Sequence, residues 1–271
     1  MKRLIPFLLI IIAFYLFFSP GVIIPYGNNS SAGKYYNIRG FKMYCEVYGK
    51  GKPLLMIHGN NGSINTFENN IPYFALKYQV IVADSRAQGK SKDSRDSLTF
   101  EMMADDEAAL LDSLHIDSAY VLGWSDGGIT ALLMAIRHPE KVIKIVSSGA
   151  NLRSDTTATD PTMWKRQYAY YQGFKNKKWP TADEKNKWKI FLLDWQQPNI
   201  SLAEVHKIKC PTLIVGGDHD LIPVMHTIQI YQNIPNASLW IVPHSGHATL
   251  IEHKDIFNLR VEEFFEYQNS K

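Results

Sequence analysis

Cysteine is nearly absent from this chain of 271 residues, which holds only Cys45 and Cys210. A disulfide-stapled framework is thereby excluded, and the fold must rest on a buried core. Internal repeats and low-complexity tracts are also missing, which excludes solenoids and fibrous arrays. Neither sign of charge dominates: 29 Lys and Arg stand against 26 Asp and Glu, and Lys2 and Arg3 account for two of the formal three positives. That balance gives no footing for a nucleic-acid partner. His244 and His247 are spaced like ligands, yet no third nitrogen, sulfur or carboxylate stands at a suitable spacing, so no metal and no cofactor are expected.

What remains is 45% hydrophobic and 20% charged, ordinary for one globular domain with an insertion. Strands are expected near Tyr35–Ile38, Phe41–Tyr48, Leu54–His58, Val80–Asp84, Ala119–Gly123, Val142–Ser147, Thr212–Gly216 and Leu239–Val242. Helices alternate with them from the third strand on, near Ile64–Leu76, Phe100–Leu114, Gly127–Arg137, Val224–Gln232 and Thr249–Glu266. Antiparallel strands followed by βαβ alternation predict a mostly parallel eight-stranded sheet covered on both faces. The two cysteines then fall on strands well apart, too far for a disulfide. Between Asn151 and Lys209 the alternation breaks, and residues 152–208 are expected to form a helical cap. Trp164, Tyr168, Tyr170, Tyr171, Phe174, Trp179, Trp188, Phe191 and Trp195 suit either the roof of an apolar pocket or the packing of the cap onto the core. Lys175, Lys177, Lys178, Lys185, Lys187 and Lys189 are expected on a solvated face of it.

The N-terminus bears on address. Met1-Lys2-Arg3 precedes an uncharged run from Leu4 to Phe18, then Ser19-Pro20-Gly21 and Val22-Ile23-Ile24. As a helix the first run spans about 22 Å, and through Ile24 it reaches roughly 32 Å, close to a bilayer core. Residues 1–32 are therefore either a signal peptide or a membrane anchor, with residues 33–271 outside the cytoplasm. Ser30-Ser31-Ala32 offers small residues for cleavage but lies far beyond the apolar run, which favours the anchor. The match Asn61-Gly62-Ser63 to a glycosylation site favours a bacterial envelope, because a glycan there would obstruct the site described next.

Ser125 sits at the centre of Gly123-Trp124-Ser125-Asp126-Gly127, between the apolar strand Ala119–Leu122 and a helical run with Ile129, Leu132, Leu133 and Ile136 on one face. A tight strand-to-helix turn lifts such a serine clear of the sheet and leaves no room for side chains at the flanking glycines. The serine needs a base, and the base an acid to fix its tautomer. Downstream, Thr212–Gly217 runs into Asp218-His219-Asp220, and Leu239–Val242 into Pro243-His244-Ser245-Gly246-His247. Both turns follow the carboxyl ends of strands, where open α/β sheets place their ligands. Upstream, Leu54–Ile57 enters His58-Gly59-Asn60-Asn61-Gly62, a loop whose amides suit an oxyanion. The main-chain N–H groups of Asn60 and Asp126 are the expected donors.

Over roughly residues 35–268 these features resemble the α/β-hydrolase family: His58-Gly59, the run Asp84-Ser85-Arg86-Ala87-Gln88-Gly89-Lys90-Ser91, the elbow, and the two turns. Gly123–Leu132 with Gly149-Ala150-Asn151 is similar, more narrowly, to the biphenyl-hydrolase-like group that includes valacyclovir hydrolase. The resemblance implies Asp220 as the acid and His247 as the base, with Asp218 a brace and His58 structural. A serine nucleophile points to acyl transfer rather than the aspartate chemistry of dehalogenases and epoxide hydrolases. The expected function is hydrolysis of a small carboxylic ester through an acyl-enzyme, with lactonase, thioesterase, amidase and carbon–carbon hydrolase activities open. A membrane-tethered, non-catalytic binding or sensing protein is the alternative class. Asp126, Trp124 and Asn61 are candidate substrate-binding residues. For Asp126 two readings stand: a counter-charge for a substrate ammonium group, implied also by the α-amino-acid esters of the resembling group, or a carboxylate held by the helix N-terminus.

Overall fold

A computed structural model describes residues 25–267. Eight strands form one sheet: β1 (Gly33–Ile38), β2 (Phe41–Tyr48), β3 (Lys52–Ile57), β4 (Tyr78–Ala83), β5 (Ala119–Trp124), β6 (Val142–Ser148), β7 (Thr212–Gly217) and β8 (Ala237–Val242). Their spatial order is β1-β2-β4-β3-β5-β6-β7-β8. β1 and β2 pair antiparallel, as do β2 and β4, and every later pairing is parallel. This is the α/β-hydrolase fold.

Nearly every residue of β3 to β7 along the centre of the sheet is buried, as a sheet covered on both faces requires. Leu55, Ile57, Ile81, Val121 and Ile145 face a core completed by Phe100 and Leu110 of α2 (Phe100–Ser113) and Ile129, Leu132 and Leu133 of α3 (Asp126–Arg137). Leu54, Met56, Val80, Leu122 and Val215 face the opposite core, shared with α1 (Ile71–Phe74) and the C-terminal helices. Alternate residues of each strand therefore serve different layers. Cys45 and Cys210 are both free.

Two expected helices are interrupted. The stretch from Ile64 is a 3₁₀ turn, Ile64–Phe67, followed by α1, because Pro72 has no N–H to donate across the junction and its ring crowds the preceding turn. The last helix divides at His253 into α8 (Thr249–Glu252) and α9 (Lys254–Glu266), and the His253 ring reaches the carbonyl of His244 at 3.2 Å.

Between β6 and β7 the chain forms α4 (Pro161–Phe174), α5 (Ala182–Gln196) and the short α6 (Leu202–Val205). Asp160 caps α4 by accepting from the N–H groups of Thr162 and Met163, and Thr181 and Glu184 close a reciprocal capping box on α5. Ile200 N–H donates to Leu152 O at 2.9 Å and ties the two ends of the insertion together. The lysine run departs from expectation at one point: Lys189 is buried, and its Nζ reaches Asp93 Oδ2 at 3.3 Å and Arg95 O at 2.8 Å. A salt-bridged lysine seats this insertion on the core.

The uncharged run from Leu4 to Ile24 lies outside the described residues, and among those described no helix is long and apolar enough to cross a membrane. Residues 25–32, expected within the leader, instead pack on the sheet. The buried Glu46 carboxylate accepts from the N–H of Gly27 at 2.8 Å and of Asn29 at 2.9 Å, and from the hydroxyls of Tyr44 and Tyr48. Four donors satisfy a charge that would otherwise be costly to bury.

Candidate active site

Ser125 occupies the turn between β5 and α3 with φ 57° and ψ −121°, a conformation that non-glycine residues adopt only under strain. Its N–H donates to Ser148 O at 2.8 Å, which locks the turn to the next strand. A Cβ added at Gly123 would lie 2.0 Å from Gly127 O, and one at Gly127 would lie 1.9 Å from Ile57 O. Both approaches are far inside van der Waals contact, so the elbow closes only with glycine at these two sites.

Asp220 and His247 follow β7 and β8, and the sheet brings them to the serine. His247 Nε2 lies 2.9 Å from Ser125 Oγ, and His247 Nδ1 lies 2.6 Å from Asp220 Oδ1. Asp220 Oδ1 also accepts from the N–H of Ile222 at 3.0 Å, and the carboxylate is almost wholly buried. With Nδ1 donating to a carboxylate, Nε2 is free to accept a proton from the serine. The imidazole needs space at Gly149, where a Cβ would come within 2.9 Å of His247 Cε1.

Asp218 lies on the neighbouring side of that turn and braces it: Oδ1 accepts from Ser245 N–H at 3.1 Å and contacts His219 Nδ1 at 2.7 Å. Backbone hydrogen bonding from the His244 and Ser245 region holds its carboxyl down at about 2. His58 is fully buried, its Nδ1 bonded to Gly59 O at 2.8 Å and its Nε2 accepting from Ser85 N–H at 3.0 Å. Burial holds this ring neutral, and both nitrogens are committed to bracing loops.

Of the candidate substrate-binding residues, the structure gives Trp124 a different position. Its indole N–H donates to His247 O at 2.8 Å, and its ring lies 5.6 Å from the imidazole, so it supports the loop that carries His247. Asn61 is exposed with φ 53° in the loop after β3. Asp126 is buried, and its Oδ2 accepts from Asn60 Nδ2 at 2.9 Å. Because Asp126 opens α3, its main-chain N–H is one of the free donors at a helix N-terminus, aimed beside Ser125.

A residue that the sequence pattern had not singled out completes the site. Asp194, on α5 of the insertion, lies in a cavity of about 70 Å³ together with Ser125, His247, Gln167, Met163 and Leu221. Gln167 Nε2 donates to its Oδ2 at 3.2 Å. Burial, then the adjacent charge of Asp194, pushes the Asp126 carboxyl well above the usual carboxylate range, against the opposing Asn60 amide. A larger cavity of about 400 Å³, bounded by Asp93, Arg95, Trp179 and Lys185, holds none of Ser125, His247 or Asp220. Among the described residues no group of three or more His, Cys, Asp or Glu is placed to hold a metal ion.

An elbow serine, a histidine and a buried acid at three strand ends of such a sheet define a hydrolase of the α/β class, and comparison with known proteins agrees. The chain belongs to the α/β-hydrolase fold family, whose sequence model matches residues 52–184. It is 30% identical to the serine hydrolase BPHL of Mus musculus over 255 residues, covering 84% of each chain. It is 27% identical to 2-hydroxy-6-oxo-6-phenylhexa-2,4-dienoate hydrolase of Burkholderia cepacia over 258 residues, 80% of this chain and 89% of that one. Among solved structures, the enol-lactonase of Burkholderia xenovorans superposes with a TM-score of 0.71 at 18% identity, covering 86% of this chain and all of that one. The carboxylesterase CesB of Bacillus subtilis gives 0.69 at 20% identity, with 86% and 91% covered. The protein is an enzyme related to both BPHL and the dienoate hydrolases.

Proposed function

We propose that the protein cleaves small carboxylic esters through an acyl-enzyme on Ser125. The unbroken hydrogen-bond chain from Ser125 Oγ through His247 to Asp220 carries this reading. His247 Nε2 takes the Oγ proton as the serine attacks the ester carbonyl, and the oxygen of the tetrahedral intermediate is held by the main-chain N–H groups of Asn60 and Asp126. The same proton then passes to the departing alkoxide, which leaves as the alcohol. Water repeats the cycle on the acyl-enzyme, and the acid is released. Asp220 keeps Nδ1 protonated and stabilises the imidazolium.

The acyl group that the site favours is small and carries a primary ammonium. The cavity at Ser125 is only about 70 Å³, and the residues lining it include no lysine or arginine. Asp126 lies buried beside the nucleophile without a cationic side chain, which suits an α-amino ester and opposes a dienoate carboxylate. For the N-terminus we keep the anchor reading, with the hydrolase domain outside the cytoplasm. It is supported by the basic start and by the uncharged run that follows it. Fusion of residues 1–32 to a reporter active only after export tests the address: no reporter activity removes it.

The decisive test of the chemistry is a fluorophosphonate probe on the purified protein. Stoichiometric labelling at Ser125, lost in Ser125→Ala together with ester turnover, is expected. An unlabelled, folded protein returns the non-catalytic binder.

A further inference from the structure

At several points of this surface an exposed cation stands beside an acid. Lys77 meets Glu262, Lys187 meets Asp183, Lys254 meets Asp255 and Arg260 meets Glu263. Residues 161–182, which form α4 and the turn that leads to α5, are different. They hold Lys165, Arg166, Lys175, Lys177 and Lys178 and no Asp or Glu. All five cations are exposed, and among the described residues the ion pairs of the insertion are made by Arg153, Lys187 and Lys189 instead. Water alone gives no reason to collect like charges, which repel one another within a Debye length of about 8–10 Å.

The outer face of α4 is open. At 3.6 residues per turn, Lys165, Arg166, Ala169, Gln172 and Gly173 fall opposite Trp164 and Tyr171, whose rings stack on Trp195 of α5. All five are exposed, and a Cβ at Gly173 would meet nothing within 4 Å. Tyr168 and Tyr170, 45% and 44% exposed, flank this face on its two sides. In the turn that follows, the Lys177 ammonium lies 4.2 Å above the Trp179 ring.

The way the N-terminus joins the domain indicates what this face meets. Gly27 sits against Ile64, where a Cβ would come within 3.6 Å of the Ile64 Cβ. Ile64 N–H in turn donates to Asp84 Oδ1 at 2.9 Å, and Asp84 directly follows β4 at the carboxyl edge of the sheet. The chain therefore enters the domain beside the same edge from which the cap rises. The uncharged run from Leu4 to Phe18 precedes that point.

We propose that α4 and the turn after it dock on the anionic headgroup surface of the membrane that anchors the chain, with the catalytic edge turned toward the bilayer. The inference rests on the anchor reading of the N-terminus. Each basic residue held at an anionic leaflet strengthens attachment by about fivefold, and tyrosines favour the headgroup level. The outer face carries no large aliphatic side chain, so it lies on the headgroups rather than among the acyl chains.

The test reconstitutes the full chain into liposomes of phosphatidylcholine alone or with about one-third phosphatidylglycerol and follows hydrogen exchange. The chain should resist an alkaline wash in both. Exchange in α4 should be about tenfold slower in the anionic liposomes, and the difference should vanish at about 1 M salt, where the Debye length is about 3 Å. Lys165→Glu with Arg166→Glu, two exposed and unpaired positions, should abolish the slowing while turnover of a soluble ester is kept. Lys254→Glu with Arg260→Glu, on α9, should leave the slowing unchanged. Equal exchange in the two liposomes, slowing that survives high salt, or slowing retained in the α4 double variant overturns the docking surface while the anchor stands. Slowing by soluble polyaspartate in neutral liposomes but not by anionic lipid identifies an acidic protein partner and overturns the lipid assignment. Release of the chain from neutral liposomes by the wash overturns the anchor reading instead.

Discussion

At the catalytic edge of the sheet the functional side chains are held by main chain, whereas in the cap most large side chains are held by one another. Ser125 is tied to Ser148 O, and Asp220 accepts from Ile222 N–H. In the cap, α4 contributes no buried residue at all. Its rings stack instead on those of α5: Tyr171 lies parallel to Trp188 within 5° and stacks on Trp195 at 5.3 Å. Main-chain geometry around the nucleophile tolerates few sequences, while an aromatic stack tolerates many, because each ring asks only for area. Chemistry is therefore confined to the sheet edge, and substrate choice is left to a roof that can vary without disturbing it. Asp194 enters the site from that roof.

The largest expected effect comes from breaking the sheet edge itself. Ser125→Ala, His247→Ala and Asp220→Asn should each lower kcat/KM for a small ester by about 10⁴-fold or more, with melting temperature nearly unchanged. Asp218→Asn, whose oxygen still accepts from Ser245 N–H, should cost less than about tenfold. Equal losses at Asp218 and Asp220 would mean that the acid has been assigned to the wrong carboxylate.

The same contrast explains what could be read from the sequence. The elbow is legible because backbone crowding at Ile57 O and Gly127 O forces glycine at two fixed positions around the serine. The central strands are legible because a sheet covered on both faces demands short, largely apolar runs there. Asp194 carries no such signal: it is one acid on a helix whose register against the core is set by tertiary contacts at Ile190 and Lys189. Lys189 is misjudged for the same reason, since a lysine in a basic run gives no hint of Asp93 beneath it. The expected helix Ile64–Leu76 runs straight through Pro72, the residue at which the 3₁₀ turn and α1 part. Residues 25–32 are polar and turn-like, and only the four-donor shell of Glu46 reveals that they belong to the domain.

That shell offers a second way to probe the core side. A chain beginning at residue 33 loses the Gly27 and Asn29 donors and leaves Glu46 with its two tyrosines. Hydrogen bonds to a buried charge contribute about 1.5–3 kcal/mol each, so this chain should be about 3 kcal/mol less stable than one beginning at residue 25. Urea denaturation of the two chains measures the difference. Equal midpoints would show that the Glu46 shell adds nothing to stability.

Trp188→Ala tests the cap from the other side. Trp188 is half-buried and stacks on Tyr171, Trp179 and Phe191, so its loss should cost about 2 kcal/mol. The loss should be local: hydrogen exchange in α4 should accelerate toward the unprotected rate while β5 keeps its protection. Uniform acceleration throughout the chain would show that cap and sheet unfold as one unit, and the contrast between them would fail.

The smallest effect is expected at the hinge where the two regions meet. His226, on α7 (Val224–Asn233), accepts the N–H of Leu152 on Nε2 at 3.0 Å where the chain enters the cap, and its Nδ1 has no partner. Burial, helped by Arg153 and opposed by Asp155, pushes the imidazole down to about 4. Since the folded value lies below the unfolded one, near about 6.5, the unfolded chain binds the extra proton between them. The stability held by neutral His226 is thus fully present above about pH 6.5 and is lost progressively as pH falls toward about 4. By about pH 5.5 the loss should be about 1 kcal/mol. His226→Gln, which keeps an acceptor for Leu152 and does not titrate, should flatten this part of the stability profile relative to the parent. If the two profiles stay parallel from about pH 7 to about pH 4.5, the neutral imidazole is not what holds the cap's entry strand in acid.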